Sequence, residues 1–261
     1  MRQILVYGDS MGWGMVPGTR ERYAFHQRWP GVLESELHKA GAREVRVVEN
    51  CLPGRKTLWD DPFRPGRNGA AGLGEVIEMN SPLELVVIQL GTNDFQAPSD
   101  IKAWGAALGV GRLVDIIRQA PLEPGMPCPR VLVVAAPEII QPKGANERKF
   151  EGAVERSKGF AAALKEMAIS KSVHFFDLNA VTGRSDIDGI HLDSRQHDSI
   201  GRVIAPLVHE ILLTAPENDA PRAAQAPCES AALRPAGLRR PATPGGAGAG
   251  ARPTIRRGTT R

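Results

Sequence analysis

Cysteine is scarce in this chain of 261 residues: Cys51, Cys128 and Cys228 are odd in number and widely spaced. That excludes a disulfide framework, and without a C-x-x-C or Cys/His spacing it gives no sign of a zinc module. His26, His38, His174, His197 and His209 likewise lack carboxylate or cysteine neighbours at metal-ligand spacing. No apolar run approaches the ~18 residues of a membrane helix. No basic segment with an apolar stretch and cleavage site precedes the first strand-like run. The reading is therefore a cytoplasmic protein without metal, cofactor or membrane segment, long enough to bury a core without staples.

Excess charge is also missing from most of the chain. The whole sequence carries +4, but residues 215–261 hold eight Arg and no Lys against Glu217, Asp219 and Glu229. Residues 1–214, with 25 basic and 26 acidic residues, are close to neutral. In the last 47 residues 25 are Ala, Pro or Gly, and Leu233, Leu238 and Ile255 are the only large aliphatics. Such a segment cannot bury enough apolar surface to offset its ordering entropy. Residues 214–261 are thus expected to form a disordered tail. Lacking Tyr, Trp and Phe to stack on bases, it could offer nucleic acid only salt-sensitive phosphate contacts, so nucleic acid is not an expected partner.

What the first 213 residues do contain is alternation. Apolar strand-like runs at Gln3–Tyr7, Val45–Glu49, Leu85–Leu90, Val131–Ala135 and Val173–Phe176 are nearly continuous, as in strands covered on both faces. Helix-length segments lie at Pro30–Ala40, Ala71–Met79, Ile101–Ala120, Glu147–Ile169 and Asp193–Leu213. Strand alternating with helix predicts βαβ crossovers, hence one α/β, doubly wound, flavodoxin-like domain over 1–213 with a five-stranded parallel sheet between helices. The stretches 12–28, 52–70 and 138–146 are long for connections and follow strands, as functional loops do.

Gly8-Asp9-Ser10 ends the first strand, where open parallel sheets collect ligands. A serine there can be a plain helix cap. As a nucleophile it needs a base, because its hydroxyl is almost wholly protonated at neutral pH. Asp188-Gly189-Ile190-His191 offers one: the carboxylate can hold Nδ1 and leave Nε2 for the serine proton. Such a base fails once acid protonates the imidazole, so activity should decline as pH falls. Asp186 and Asp193 compete with Asp188 as the orienting group on spacing alone. Candidate donors to a tetrahedral oxyanion are the backbone N–H of Ser10, the backbone N–H of Gly54 and the Asn93 side chain of Gly91-Thr92-Asn93-Asp94. Asp9 and Asp94 read as structural, Asp9 accepting loop N–H groups and Asp94 making an Asx turn.

In order, Gly8-Asp9-Ser10, Gly54, Gly91-Thr92-Asn93-Asp94 and Asp188-x-x-His191 resemble the four blocks of the GDSL, or SGNH, hydrolases. The resemblance spans about residues 1–213. Gly8-Asp9-Ser10-x-x-Trp13-Gly14, Arg28-Trp29, Asp60-Asp61-Pro62, Arg67-Asn68-Gly69 and Phe175-Phe176-Asp177 look like its arylesterase/acyltransferase branch, with Met11 in place of the usual leucine. It implies a serine esterase acting on short acyl and aryl esters, with water, an alcohol or peroxide as acyl acceptor. It implies Ser10, Asp188 and His191 as triad, and Ser10, Gly54 and Asn93 as oxyanion hole. It also implies a homo-oligomer with a narrow apolar entrance shaped by Trp13 and the 52–70 loop. Two other readings use the same residues: an O-deacetylase of carbohydrates or small metabolites, and a binding protein that keeps the fold without turnover.

Overall fold

Because side chains along a strand alternate between faces, each strand of the sheet feeds two cores. In the computed structural model, which describes residues 1–214, β1 (Arg2–Gly8) sends Leu5 and Tyr7 to one side and Ile4 and Val6 to the other. β2 (Val45–Cys51), β3 (Leu85–Gln89), β4 (Arg130–Ala135) and β5 (His174–Asp177) complete a parallel sheet of order β2-β1-β3-β4-β5. The expected five-stranded, doubly wound α/β fold is what the chain adopts. The expected tail falls, beyond Thr214, outside the described residues. Among the described residues no helix is long and apolar enough to cross a membrane.

The chain-order helices are α1 (Ser10–Trp13), α2 (Trp29–Lys39), α3 (Leu73–Asn80), α4 (Ala103–Arg118), α5 (Asn146–Lys149), α6 (Ala153–Arg156), α7 (Phe160–Ser170) and α8 (Ser194–Leu213). Residues from α3, α4 and α7 pack with Leu5, Tyr7, Val86 and Val133; residues from α2 and α8 pack with Ile4, Val6, Val87 and Val134. The single helix expected over 147–169 is instead three, α5, α6 and α7. Gly152 and Gly159 precede α6 and α7 with φ of 71° and 77°, left-handed conformations that interrupt a right-handed helix and that glycine adopts without a Cβ penalty.

The strand order has a consequence for the site. β1 lies between β2 and β3, so the segments leaving the carboxyl ends of those three strands emerge side by side. They carry Ser10, Gly54 and Asn93. α8 reaches the same edge because its N-terminus is stopped there by a capping box, Asp193 accepting from the Gln196 amide and the Gln196 side chain accepting from the Asp193 amide.

Where α2 meets α8, His197 is fully buried and its Nδ1 accepts the Trp29 amide at 3.2 Å. Burial first, then the nearby Arg28 and His191, pull its pKa from 6.5 down to about 4, against an opposing pull from Asp193. A base whose folded pKa is depressed stabilises fully above its unfolded value and loses that contribution as pH falls toward the folded one. Buried Asp94 runs the other way: burial raises its pKa to about 7, so acid favours its folded form. The His197 contribution is therefore read as a difference. Urea unfolding of the native protein minus His197→Asn should show a relative loss of about 3 kcal/mol between pH 6.5 and pH 4. A flat difference curve would refute it.

Candidate active site

The turn after β1 is capped by Asp9, not by Ser10. Asp9 Oδ1 accepts the Met11 amide at 2.9 Å, so Ser10 begins α1 with its hydroxyl uncommitted to the cap. Ser10 Oγ lies 3.1 Å from His191 Nε2, and His191 Nδ1 lies 2.6 Å from Asp188 Oδ2. A carboxylate can only accept, so Nδ1 carries the proton and Nε2 faces Ser10 as an acceptor.

The Asp188 carboxylate is held on every side. Oδ1 accepts the amides of Ile190 and His191 at 3.0 and 2.9 Å, and Oδ2 accepts that of Gly18 at 3.1 Å. Burial pushes its pKa up, but the hydrogen bond and charge of the His191 ring and the two following amides outweigh it. The net result lies below the ordinary carboxylate range. Gly189 makes this tight fold possible: its φ is +75°, and a Cβ there would stand 2.3 Å from the Gln141 carbonyl oxygen. Of the competing acids, Asp193 caps α8 and the Asp186 carbonyl accepts from Lys143 Nζ.

Gly54 and Asn93 converge on the same edge. Gly54 is buried with φ of +86°, and among the described residues neither its N–H nor that of Ser10 donates to a protein acceptor. Asn93 Nδ2 has acceptors for both hydrogens, Asp9 Oδ2 at 3.0 Å and the Arg55 carbonyl at 3.1 Å, while its Oδ1 accepts from Gln96. Asp94 makes no local Asx turn with its side chain; its carboxylate accepts from the Thr57 amide and hydroxyl.

Residues 6–198 match the GDSL-like lipase/acylhydrolase family. The chain belongs to that family. Among solved structures, the inhibitor-bound aryl esterase of M. smegmatis is 33% identical with a TM-score of 0.76, over 81% of this chain and 100% of that one. A carbohydrate acetylesterase family member from Sinorhizobium meliloti is 34% identical with a TM-score of 0.76, over 81% of this chain and 99% of its own. No curated protein matches the chain. As a GDSL-family member with these structural neighbours, the chain is a carboxylic ester hydrolase.

This hydrolase surrounds its serine with more than the sequence disclosed. Arg184 is buried beneath the site, donating to the Pro137 carbonyl at 2.8 Å, to Thr92 Oγ1 at 3.1 Å and to the Ile190 carbonyl. Burial lowers its pKa to about 10, with Asp9 and Asp188 pulling upward, so it remains a cation at neutral pH. Gly18, whose amide holds Asp188, was equally hidden. Neither carries a spacing signal, because both meet the triad only through the fold.

The cavity beside Ser10 has a volume of about 610 Å³. Trp13, expected to shape its entrance, is not among the lining residues; the Arg22 guanidinium lies 4.8 Å from the Trp13 ring centroid, and Arg22 Nε donates to the Trp13 carbonyl. Met15 and Ile187 supply apolar side chains there, but Arg20, Arg64, Lys143 and Lys149 line it as well. That departs from the apolar entrance implied by resemblance. The 52–70 loop takes part through Pro53, Gly54 and Arg64. Among the described residues no group of three or more His, Cys, Asp or Glu side chains could hold a metal ion.

Proposed function

We propose that this ester hydrolase works through an acyl-enzyme on Ser10, with short acyl esters, aryl esters included, as substrates. His191 Nε2 takes the Ser10 proton as Oγ attacks the acyl carbonyl. The resulting oxyanion is received by the N–H groups of Ser10 and Gly54, with Asn93 as third donor, one of its Nδ2 hydrogens turning from its present acceptor. His191 then protonates the departing alcohol, and water or another alcohol, activated by the same imidazole, attacks the acyl carbon and restores Ser10. Asp188 orients the ring and stabilises the imidazolium. Arg184 and Gly18 act on Asp188 and its loop as positioning residues.

The observation that carries this reading is the continuous relay Ser10 Oγ, His191 Nε2, His191 Nδ1, Asp188 Oδ2 at 3.1 and 2.6 Å. A fluorophosphonate probe should label Ser10 alone, as located by mass spectrometry, and abolish p-nitrophenyl acetate hydrolysis in step with labelling. Hydrolysis that continues after complete labelling, or a label elsewhere, would refute the assignment. The Sinorhizobium meliloti neighbour, a carbohydrate acetylesterase family member, favours a second reading, O-deacetylation of sugars by the same residues. Acetylated sugars turned over faster than aryl acetates would decide for it. Acyl transfer to alcohol or peroxide, assembly as a homo-oligomer and a cytoplasmic setting are extensions of the same proposal.

A further inference from the structure

The side chains around the Ser10 cavity carry an excess of positive charge. Residues 1–214 are nearly neutral, yet four cations, Arg20, Arg64, Lys143 and Lys149, line this one cavity. Its sole acid is Asp188, already committed to His191 and three amides. Among the described residues no carboxylate forms an ion pair within 4.0 Å with any of the four. Lys143 donates to the Asp186 carbonyl at 2.7 Å, a neutral acceptor that leaves its charge uncompensated.

The cations also stand beside the proposed reaction centre. A methyl group at Gly54 would lie 2.9 Å from Arg64 Nη1, so the guanidinium rests against one of the proposed oxyanion donors. Arg64 and Lys149 line a second cavity too, of about 550 Å³, where Trp59, Pro62, Phe63 and Ile101 provide apolar surface and Asp60 and Asp61 provide acids. A molecule extending from Ser10 into that cavity therefore passes Arg64 and Lys149. Burial, then Arg67 and Arg20, depress the pKa of Arg64; burial, then Arg64 and Arg20, depress that of Lys149; Asp61 opposes in both, and Asp9 opposes in Lys149 as well. Mutual repulsion of this kind is relieved by an anion bound between the cations.

We propose that the substrate of this esterase is an anionic ester, carrying a carboxylate, sulfate or phosphate that Arg64 and Lys149 receive, with Arg20 and Lys143 completing the positive wall. The proposal rests on the Ser10 reading and specifies its substrate class. A neutral acyl ester would bring no charge within ion-pair distance of the four cations, and the acids Asp60 and Asp61 stand only on the far cavity.

The test compares kcat/KM within two ester pairs. Mono(4-nitrophenyl) adipate against 4-nitrophenyl hexanoate places the charge on the acyl half; 3-acetoxybenzoate against its methyl ester places it on the alcohol half. Each rate is divided by that of alkaline hydrolysis of the same ester. In at least one pair the anionic member should be preferred about tenfold or more at low salt, and the pair that shows it identifies the half bearing the charge. The preference should shrink severalfold at about 0.5 M NaCl and in the double variant Arg64→Gln, Lys149→Gln. Because both members are measured on one protein preparation, partial misfolding cancels in the ratio. Equal or lower rates for both anionic esters, with the neutral ones hydrolysed by a Ser10-dependent route, would overturn the proposal and leave the esterase reading standing. So would a preference that the double variant leaves intact. Absence of Ser10-dependent hydrolysis of all four esters would overturn both.

Discussion

Ser10→Ala is expected to reduce kcat for p-nitrophenyl acetate by about four orders of magnitude or more, with the fold unchanged. The size follows from what is removed. Loss of a serine nucleophile from a triad costs about as much as loss of the whole triad, leaving only the contribution of substrate binding and oxyanion donors. Here those donors survive, since alanine keeps the residue 10 N–H and Gly54 is untouched. The hydroxyl bonds only to the His191 ring among the described residues, so its removal leaves no other buried group unpaired. Thermal unfolding of the variant should match that of the parent. Turnover within about tenfold of the parent in a carefully purified variant would mean that another group attacks the ester.

Asp188→Asn should cost nearly as much, about ten-thousandfold in kcat, through the tautomer of His191. If the new Nδ2 takes the place of Oδ2, it donates to His191 Nδ1, forces the ring proton onto Nε2 and deprives Ser10 of its base. It also points at the Gly18 amide, donor against donor. The turned-over amide would keep the tautomer but set Nδ2 against two amides, those of Ile190 and His191, where the first orientation opposes only one, so the first orientation is the one expected. Either orientation leaves buried donors unsatisfied, at about 1–3 kcal/mol each, so the variant should also unfold at lower urea than the parent. The two readouts separate a positioning role from a merely structural one. Lost stability with kcat within about tenfold of the parent would mean that Asp188 shapes the loop without acting on the imidazole.

The acid limb of the activity has a matching interpretation. Asp188 is held below the ordinary carboxylate range by the ring it serves and by the amides around it. It therefore stays ionised through mild acid, so a decline of kcat/KM there is not the loss of the Asp188 charge.

Short-range chemistry made much of this legible beforehand. The continuous apolar runs announced strands covered on both faces, and their alternation with helices announced a parallel sheet. Asp188 and His191, three residues apart across a glycine, can meet in almost any fold that turns there. The split of the 147–169 helix was also written locally, in Gly152 and Gly159, but the apolar spacing of Phe160, Leu164 and Met167 masks it when periodicity is read across the whole stretch. Asp94 shows the opposite limit. An acid after a strand reads as a turn residue, and only the return of the 52–70 loop supplies Thr57 to its carboxylate.

By itself, then, the sequence determined the fold class, the strand-end position of Ser10, Gly54 and Asn93, and the pairing of Asp188 with His191, because hydrophobic period and neighbouring residues act over a few positions. Tertiary structure alone decided that a hydroxyl and an imidazole 181 residues apart come within 3.1 Å, that Arg184 lies buried beneath them, that Trp13 is not among the residues lining the cavity, and that four cations gather around one cavity although residues 1–214 are nearly neutral. Those contacts join loops from distant strands. They depend on the order in which β2, β1 and β3 lie side by side, which no local spacing encodes.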